Sequence, residues 1–319
     1  MDKNYNKLLF MVFGGRGNVG KTTFFTSYID YLFTNGYFNL EAFDTDTTSY
    51  KAYTTLKDTL CPKNHHEGTP EEYNITPVMH NDYDQILEKL NEDGINFVAV
   101  DSPASGYLDL AVWLNNIGGN NFIKEMKTKK VAVVICFMIE NESDSVQMLD
   151  HGVETIVGDN VYWLGIYNRG AIKGIKKTQA RPNITSVYVV NNKAESDPFY
   201  LYRQTNTYKK LLALDSRYYE LEFTDLSTYE INITNELKSW IEKNNINTNT
   251  PLESIKYANM VDLCFGLCVS PYKFLKEGDS IYKEIISPIR MRLRASLVAM
   301  ENSFNLLTEY LLGIVNIQG

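Results

Sequence analysis

Apolar residues in the first half of the chain come in short unbroken runs, separated by longer mixed segments. Lys7–Phe13 is such a run, closed by Gly14-Gly15, and it predicts a strand. Leu40–Phe43, Ile95–Val100, Val131–Met138 and Val161–Tyr167 predict further strands, with Ser186–Val190 and Tyr219–Phe223 later in the chain. Between them, apolar residues recur at spacings of three and four. This predicts helices over Thr22–Asn35, with Gly36 as the stop, over Asp82–Leu90 and over Ser143–Ile156. A strand apolar at every position has no face to give to water, so both of its faces must be covered. Such strands alternating with helices predict an α/β fold, a mostly parallel sheet with helices on both faces.

The pattern changes near residue 244. Asn244–Pro251 is polar and reads as a linker, dividing the chain into 1–243 and 252–319. In the second part Ser287-Pro288 is a helix start, because proline has no N–H to leave unsatisfied in the first turn. Ile289, Leu293, Leu297, Met300, Phe304, Leu307, Leu311 and Ile314 then form one apolar stripe. This predicts a long helix packed on the body or on a partner subunit.

Composition narrows the classes. The 319 residues are 44% hydrophobic and 22% charged, which excludes a disordered or low-complexity chain. Four cysteines are too few for a disulfide-stapled scaffold. No apolar run approaches the ~20 residues of a membrane span, and Leu8–Phe13 is too short for a signal peptide. A cytoplasmic location is the expectation. The net charge of −8 argues against a protein coated in basic charge. Three local basic clusters remain: Lys124, Lys127, Lys129 and Lys130; Lys173, Lys176, Lys177 and Arg181; and Lys283, Arg290, Arg292 and Arg294. Cys264 and Cys268 lack two further zinc ligands and read as buried thiols.

The chemistry lies at the end of the first strand. Gly15-Arg16-Gly17-Asn18-Val19-Gly20-Lys21-Thr22 has the phosphate-loop spacing, between a predicted strand and a predicted helix. Glycines let backbone N–H groups approach phosphate oxygens, and the helix N-terminus favours an anion. Lys21 supplies a charge for the outer phosphates, and the Thr22 hydroxyl a ligand for Mg²⁺. A nucleotide phosphate chain with Mg²⁺ is the ligand this predicts. Asp101 closes the run Ile95–Val100, where a strand-end carboxylate holds Mg²⁺ directly or through water. Asp44 and Asp46 end another strand candidate and so face the same crevice. Either could instead cap the next helix.

The stretch Arg16-Gly17-Asn18-Val19-Gly20-Lys21-Thr22-Thr23 resembles the deviant phosphate loop of the ParA/MinD family of dimeric ATPases, and most of all its plasmid-stability StbB-type members. Arg16 stands where that family has a signature Lys, and Asn18 where it has Gly. Asp101-Ser102-Pro103 matches the family's Asp-x-Pro. The resemblance implies an ATPase that forms a homodimer on binding ATP and hydrolyses it slowly, in plasmid partition, DNA segregation or conjugation-linked positioning. It implies that Asp46, or Asp44, orients the attacking water, that Arg16 reaches the partner's nucleotide, and that Asn168 meets the adenine edge. It also implies non-specific DNA and an adaptor or centromere-binding protein as partners. Two other classes fit a phosphate loop: a ligase resembling dethiobiotin synthetase, and a nucleotide-binding adaptor without turnover.

Overall fold

The computed structural model describes residues 5–15, 19–47, 50–56, 75–79, 83–103, 120–139, 143–168, 199–223, 238–243 and 287–316. Seven strands form one sheet: β1 Lys7–Gly14, β2 Leu40–Asp44, β3 Ile75–Pro77, β4 Phe97–Asp101, β5 Val131–Met138, β6 Val161–Asn168 and β7 Tyr218–Phe223. Their order is β3-β2-β4-β1-β5-β6-β7, and every pair is parallel. The helices are α1 Lys21–Asn35, α2 Lys51–Leu56, α3 Tyr83–Asn91, α4 Asn120–Thr128, α5 Ser143–Thr155, α6 Tyr200–Arg203, α7 Asn206–Leu212 and α8 Ser287–Ile314. The α/β architecture predicted from the apolar runs is the one observed.

The runs are apolar throughout because the pleat serves two cores at once. On β1, Leu8, Phe10 and Val12 enter one cluster with residues of α1 and α8, while Leu9, Met11 and Phe13 enter the other with residues of α3, α4 and α5. On β5, Ala132, Val134 and Cys136 alternate in the same way with Val133, Ile135 and Phe137. Several elements had no clear signal in the pattern. The helices α2, α4, α6 and α7 and the three-residue strand β3 are short, and short elements are defined by what they pack on rather than by periodicity. Ser186–Val190 and the linker Asn244–Pro251 lie outside the described residues.

The first core is shared by two helices on the same face of the sheet. Phe24, Phe25, Tyr28, Ile29, Tyr31 and Leu32 of α1 are all buried, more than a helix lying on a sheet alone would bury. The cover is α8. Its Phe304 meets Phe24, Tyr28 and Tyr31 of α1 and stacks on Phe223 of β7. The Tyr28 hydroxyl bonds the Thr308 hydroxyl at 3.0 Å, and the Tyr31 hydroxyl donates to Asn305. Tyr219 stacks on Tyr310 with centroids 4.5 Å apart. Val315 bridges to Tyr5, whose carbonyl accepts the Asn316 N–H at 2.7 Å. Phe304→Ala is therefore expected to lower unfolding free energy by about 3–5 kcal/mol. Denaturant melts measure this, and a loss below ~1 kcal/mol would mean that α8 is not part of the cooperative core.

The strand order turns back at β1. The chain leaves β1 through α1 to β2, returns to β4 at β1's side, and then crosses to β5 on the other side. A parallel sheet opens its ligand crevice at such a reversal, beyond the carboxyl ends of the strands. Gly14, Asp44, Asp101 and Asn168 are the last residues of β1, β2, β4 and β6, so all four lie on that edge. No helix among the described residues is long and apolar enough to cross a membrane.

Candidate functional site

The loop after β1 is held at both ends by glycine. Gly20 caps α1 with φ 89°, a left-handed conformation that side-chain-bearing residues rarely adopt. Its carbonyl accepts the Phe24 N–H at 2.9 Å and starts the helix. At the other end, a Cβ on Gly14 would stand 2.8 Å from Val19 Cγ2 and 3.1 Å from Lys21 Cδ. The absence of a side chain at Gly14 lets the Lys21 stem lie back across the end of β1. Lys21 is 7% exposed and Val19 is buried. Gly15, Gly20, Thr22 and Thr23 are half-buried. Arg16, Gly17 and Asn18 lie outside the described residues.

Two carboxylates stand beside this loop. Asp44 and Asp101 are register partners on β2 and β4, and Asp101 also pairs with Val12 on β1. Both are fully buried, on the face of the sheet that α1 covers. Their surroundings differ. Asp44 Oδ1 accepts the Asp46 N–H at 3.0 Å and Oδ2 accepts the Tyr53 N–H at 2.8 Å, so this carboxylate caps the turn into α2. Burial pushes it up to about 6, against the backbone N–H groups that lower it. Neither oxygen of Asp101 has a hydrogen-bond partner of ordinary geometry among the described residues. Burial and the neighbouring Asp44 push it up to about 8, while Thr22 and Lys21 are near enough to pull the other way. Thr45 ties the two strand ends together, with its N–H and hydroxyl both donating to the Asp101 carbonyl, at 3.0 and 2.8 Å.

Asp46 is half-buried, two residues beyond Asp44, in the loop that leads to α2. Its carbonyl accepts the Tyr50 N–H at 2.8 Å, and Tyr50 itself has φ 41°. Asn168 ends β6 opposite Phe223 of β7, at the same edge as the loop. The structure thus brings Lys21, Thr22, Asp44, Asp46 and Asp101 around one edge of the sheet, with Asn168 two strands away. Sequence reasoning gave Thr45 no role. Its tie to Asp101 depends on β2 and β4 being neighbours, which no local spacing encodes.

A divalent cation fits this arrangement. Two buried carboxylate oxygens with no hydrogen bond of ordinary geometry among the described residues, near the Thr22 hydroxyl and the Lys21 ammonium, match the hard oxygen donors that Mg²⁺ takes together with phosphate oxygens. Among the described residues no group of three or more His, Cys, Asp or Glu converges as a metal cage, so the cation would draw its remaining ligands from phosphate oxygens and water.

The basic clusters fare unevenly. Lys124, Lys127, Lys129 and Lys130 lie before β5, at the end of the sheet away from the loop. Lys127 pairs with Asp159, and Lys129 pairs with Glu125 at 2.8 Å, so half of that charge is already matched. Lys173, Lys176, Lys177, Arg181 and Lys283 lie outside the described residues, as do Cys264 and Cys268.

No protein-family profile matches the sequence, and no curated protein matches it. Among solved structures, one described as a putative plasmid partition protein from Borrelia burgdorferi B31 bound to AMPPNP is 13% identical. The overlap covers 82% of this chain and 98% of that one, with a TM-score of 0.33. A likeness of that size is distant.

Proposed function

We propose that this protein is an ATP-binding, slowly ATP-hydrolysing dimeric switch of the ParA/MinD type, acting in plasmid or DNA partition. The observation that carries the reading is the buried Asp101 carboxyl, which has no hydrogen bond of ordinary geometry among the described residues and stands beside Thr22 and Lys21 at the end of the strand next to the loop strand. A structural aspartate would have its oxygens satisfied, as Asp44 does. Asp101 and Thr22 would hold Mg²⁺, and Lys21 the outer phosphates. Bound Mg²⁺–ATP supplies the phosphoryl chemistry and the positive charge that offsets it.

The chain's own residues do the rest. Gly14 and Gly20 shape the cradle, and Lys21 balances phosphate charge from a buried position that water cannot screen well. Asp46, two residues beyond Asp44 in the loop at this edge, is the carboxylate that orients the attacking water in this reading, with Asp44 as its alternative. Asn168, on the same edge, takes the adenine, because an amide can both donate and accept. Arg16 completes the partner's site across a homodimer interface.

Light scattering with ATP, with ADP and with neither tests the switch. Wild type is expected to double in mass with ATP alone. Arg16→Ala is expected to keep ATP affinity, remain monomeric, and lose turnover roughly tenfold or more, as an arginine supplied in trans requires. One mass in all three conditions for the wild type would overturn the switch.

A further inference from the structure

The geometry points to Ser145 on α5 as a positioning residue for the phosphate loop, acting through Gly15; this rests on the nucleotide-binding reading above. A Cβ built on Gly15 would fall 2.0 Å from Ser145 Oγ, 2.5 Å from its Cβ and 2.6 Å from its Cα. Real Cβ atoms do not approach other heavy atoms so closely, so the Gly15 backbone and the first turn of α5 are in direct contact. Ser145 is 2% exposed. Here the loop leaves β1, one residue before Arg16.

The contact grips the loop from a second side. Gly14 lies under the Lys21 stem, which comes from α1 on one face of the sheet. Gly15 abuts α5, whose Leu149 belongs to the core on the opposite face. The leading limb of the loop is therefore clamped between helices of both layers. Further along, α5 is tied to α7. Asp150 accepts the Thr207 hydroxyl and the Lys210 ammonium, each at 2.9 Å, and Lys210 also pairs with Glu154 at 2.5 Å. The bonds from Lys210 and Thr207 hold the Asp150 carboxyl below its ordinary range, so this anchor is ionised at neutral pH.

A phosphate cradle built from backbone N–H groups works only with its donors at hydrogen-bond distance. Enlarging residue 145 pushes the Gly15 backbone and moves the cradle while leaving the side chains of Lys21, Thr22 and Asp101 unaltered. The test titrates the full chain with a fluorescent ATP analogue and Mg²⁺, and records melting temperatures without nucleotide. Ser145→Val is expected to raise Kd tenfold or more while shifting the ligand-free melting temperature by only a few degrees. Ser145→Thr, one methyl larger than the native residue, is expected to show the same split at smaller amplitude. This variant keeps the test readable if valine disturbs folding. Gly15→Ala attacks the same contact from the other side, and its loss should not add fully to that of Ser145→Val. Wild-type affinity in both Ser145 variants, with binding lost in Lys21→Ala, would overturn the role of Ser145 and leave the nucleotide reading standing. Wild-type affinity in Lys21→Ala would overturn both.

Discussion

Lys21→Ala is expected to lose Mg²⁺–ATP affinity by roughly 100-fold. Lys21 is nearly buried, with its stem laid across Gly14 and its charge close to Asp101. A hydrogen bond to a charged group contributes about 1.5–3 kcal/mol, and each ~1.4 kcal/mol is tenfold in affinity. The substitution also takes a positive charge away from a buried carboxyl, so ionising Asp101 becomes harder. The variant should therefore be destabilised more at pH 8.5 than at pH 5.5, because only ionised Asp101 needs the ammonium. Calorimetric titration gives the first number, and thermal melts at two pH values give the second. Unchanged ATP affinity would remove the phosphate loop from the account.

Asp101→Asn is expected to make the nucleotide-free protein more stable at alkaline pH while abolishing the Mg²⁺-dependent part of ATP binding. The direction follows from linkage. In the folded state the Asp101 carboxyl is pushed up to about 8, mainly by burial, from an ordinary value of 3.8. Across that window the folded chain holds a proton that the unfolded chain has released. Wild-type stability is therefore full at acid pH and falls as pH rises from about 4 to about 8. Asparagine keeps the shape and does not titrate. Its profile should be flatter, with an advantage of roughly 2–5 kcal/mol near pH 8.5. A smaller slope remains below about 6, because Asp44 is raised in the same direction. With Mg²⁺ and nucleotide present the order reverses, since a divalent cation favours the ionised carboxylate that asparagine cannot provide. Melting curves from pH 5 to 9, with and without Mg²⁺–ATP, test both halves. Parallel profiles for wild type and variant would mean that Asp101 is not a strained carboxyl awaiting a cation.

Both predictions concern residues whose motifs are written in the chain, yet neither could be made from the motifs alone. Spacing identifies Lys21 and Asp101 as a charge and a carboxylate at the ends of local elements. That Asp101 is buried with no hydrogen bond of ordinary geometry among the described residues, while Asp44 beside it is satisfied by two backbone N–H groups, depends on which strands are neighbours. The open choice between Asp44 and Asp46 is of the same kind. Both are strand-end aspartates in the sequence, and only the turn into α2 gives the capping bonds to Asp44.

The sequence by itself determined the elements that repeat a local rule. Strands β1, β4, β5 and β6 are visible because each must be apolar on both faces, and α1 and α8 because their apolar positions keep helical spacing. The end of α1 is visible because Gly36 adopts φ 62° there and accepts the left-handed turn. The Gly-x4-Gly-Lys-Thr loop is visible because its chemistry is contiguous. Only the tertiary structure decided which strand lies beside which, that α8 packs beside α1 and on β7, and that Ser145 meets Gly15 across 130 positions of chain. Such contacts join residues whose local patterns are complete without each other. Hydrophobic periodicity says that a face must be covered. Which element covers it depends on the packing of the whole chain.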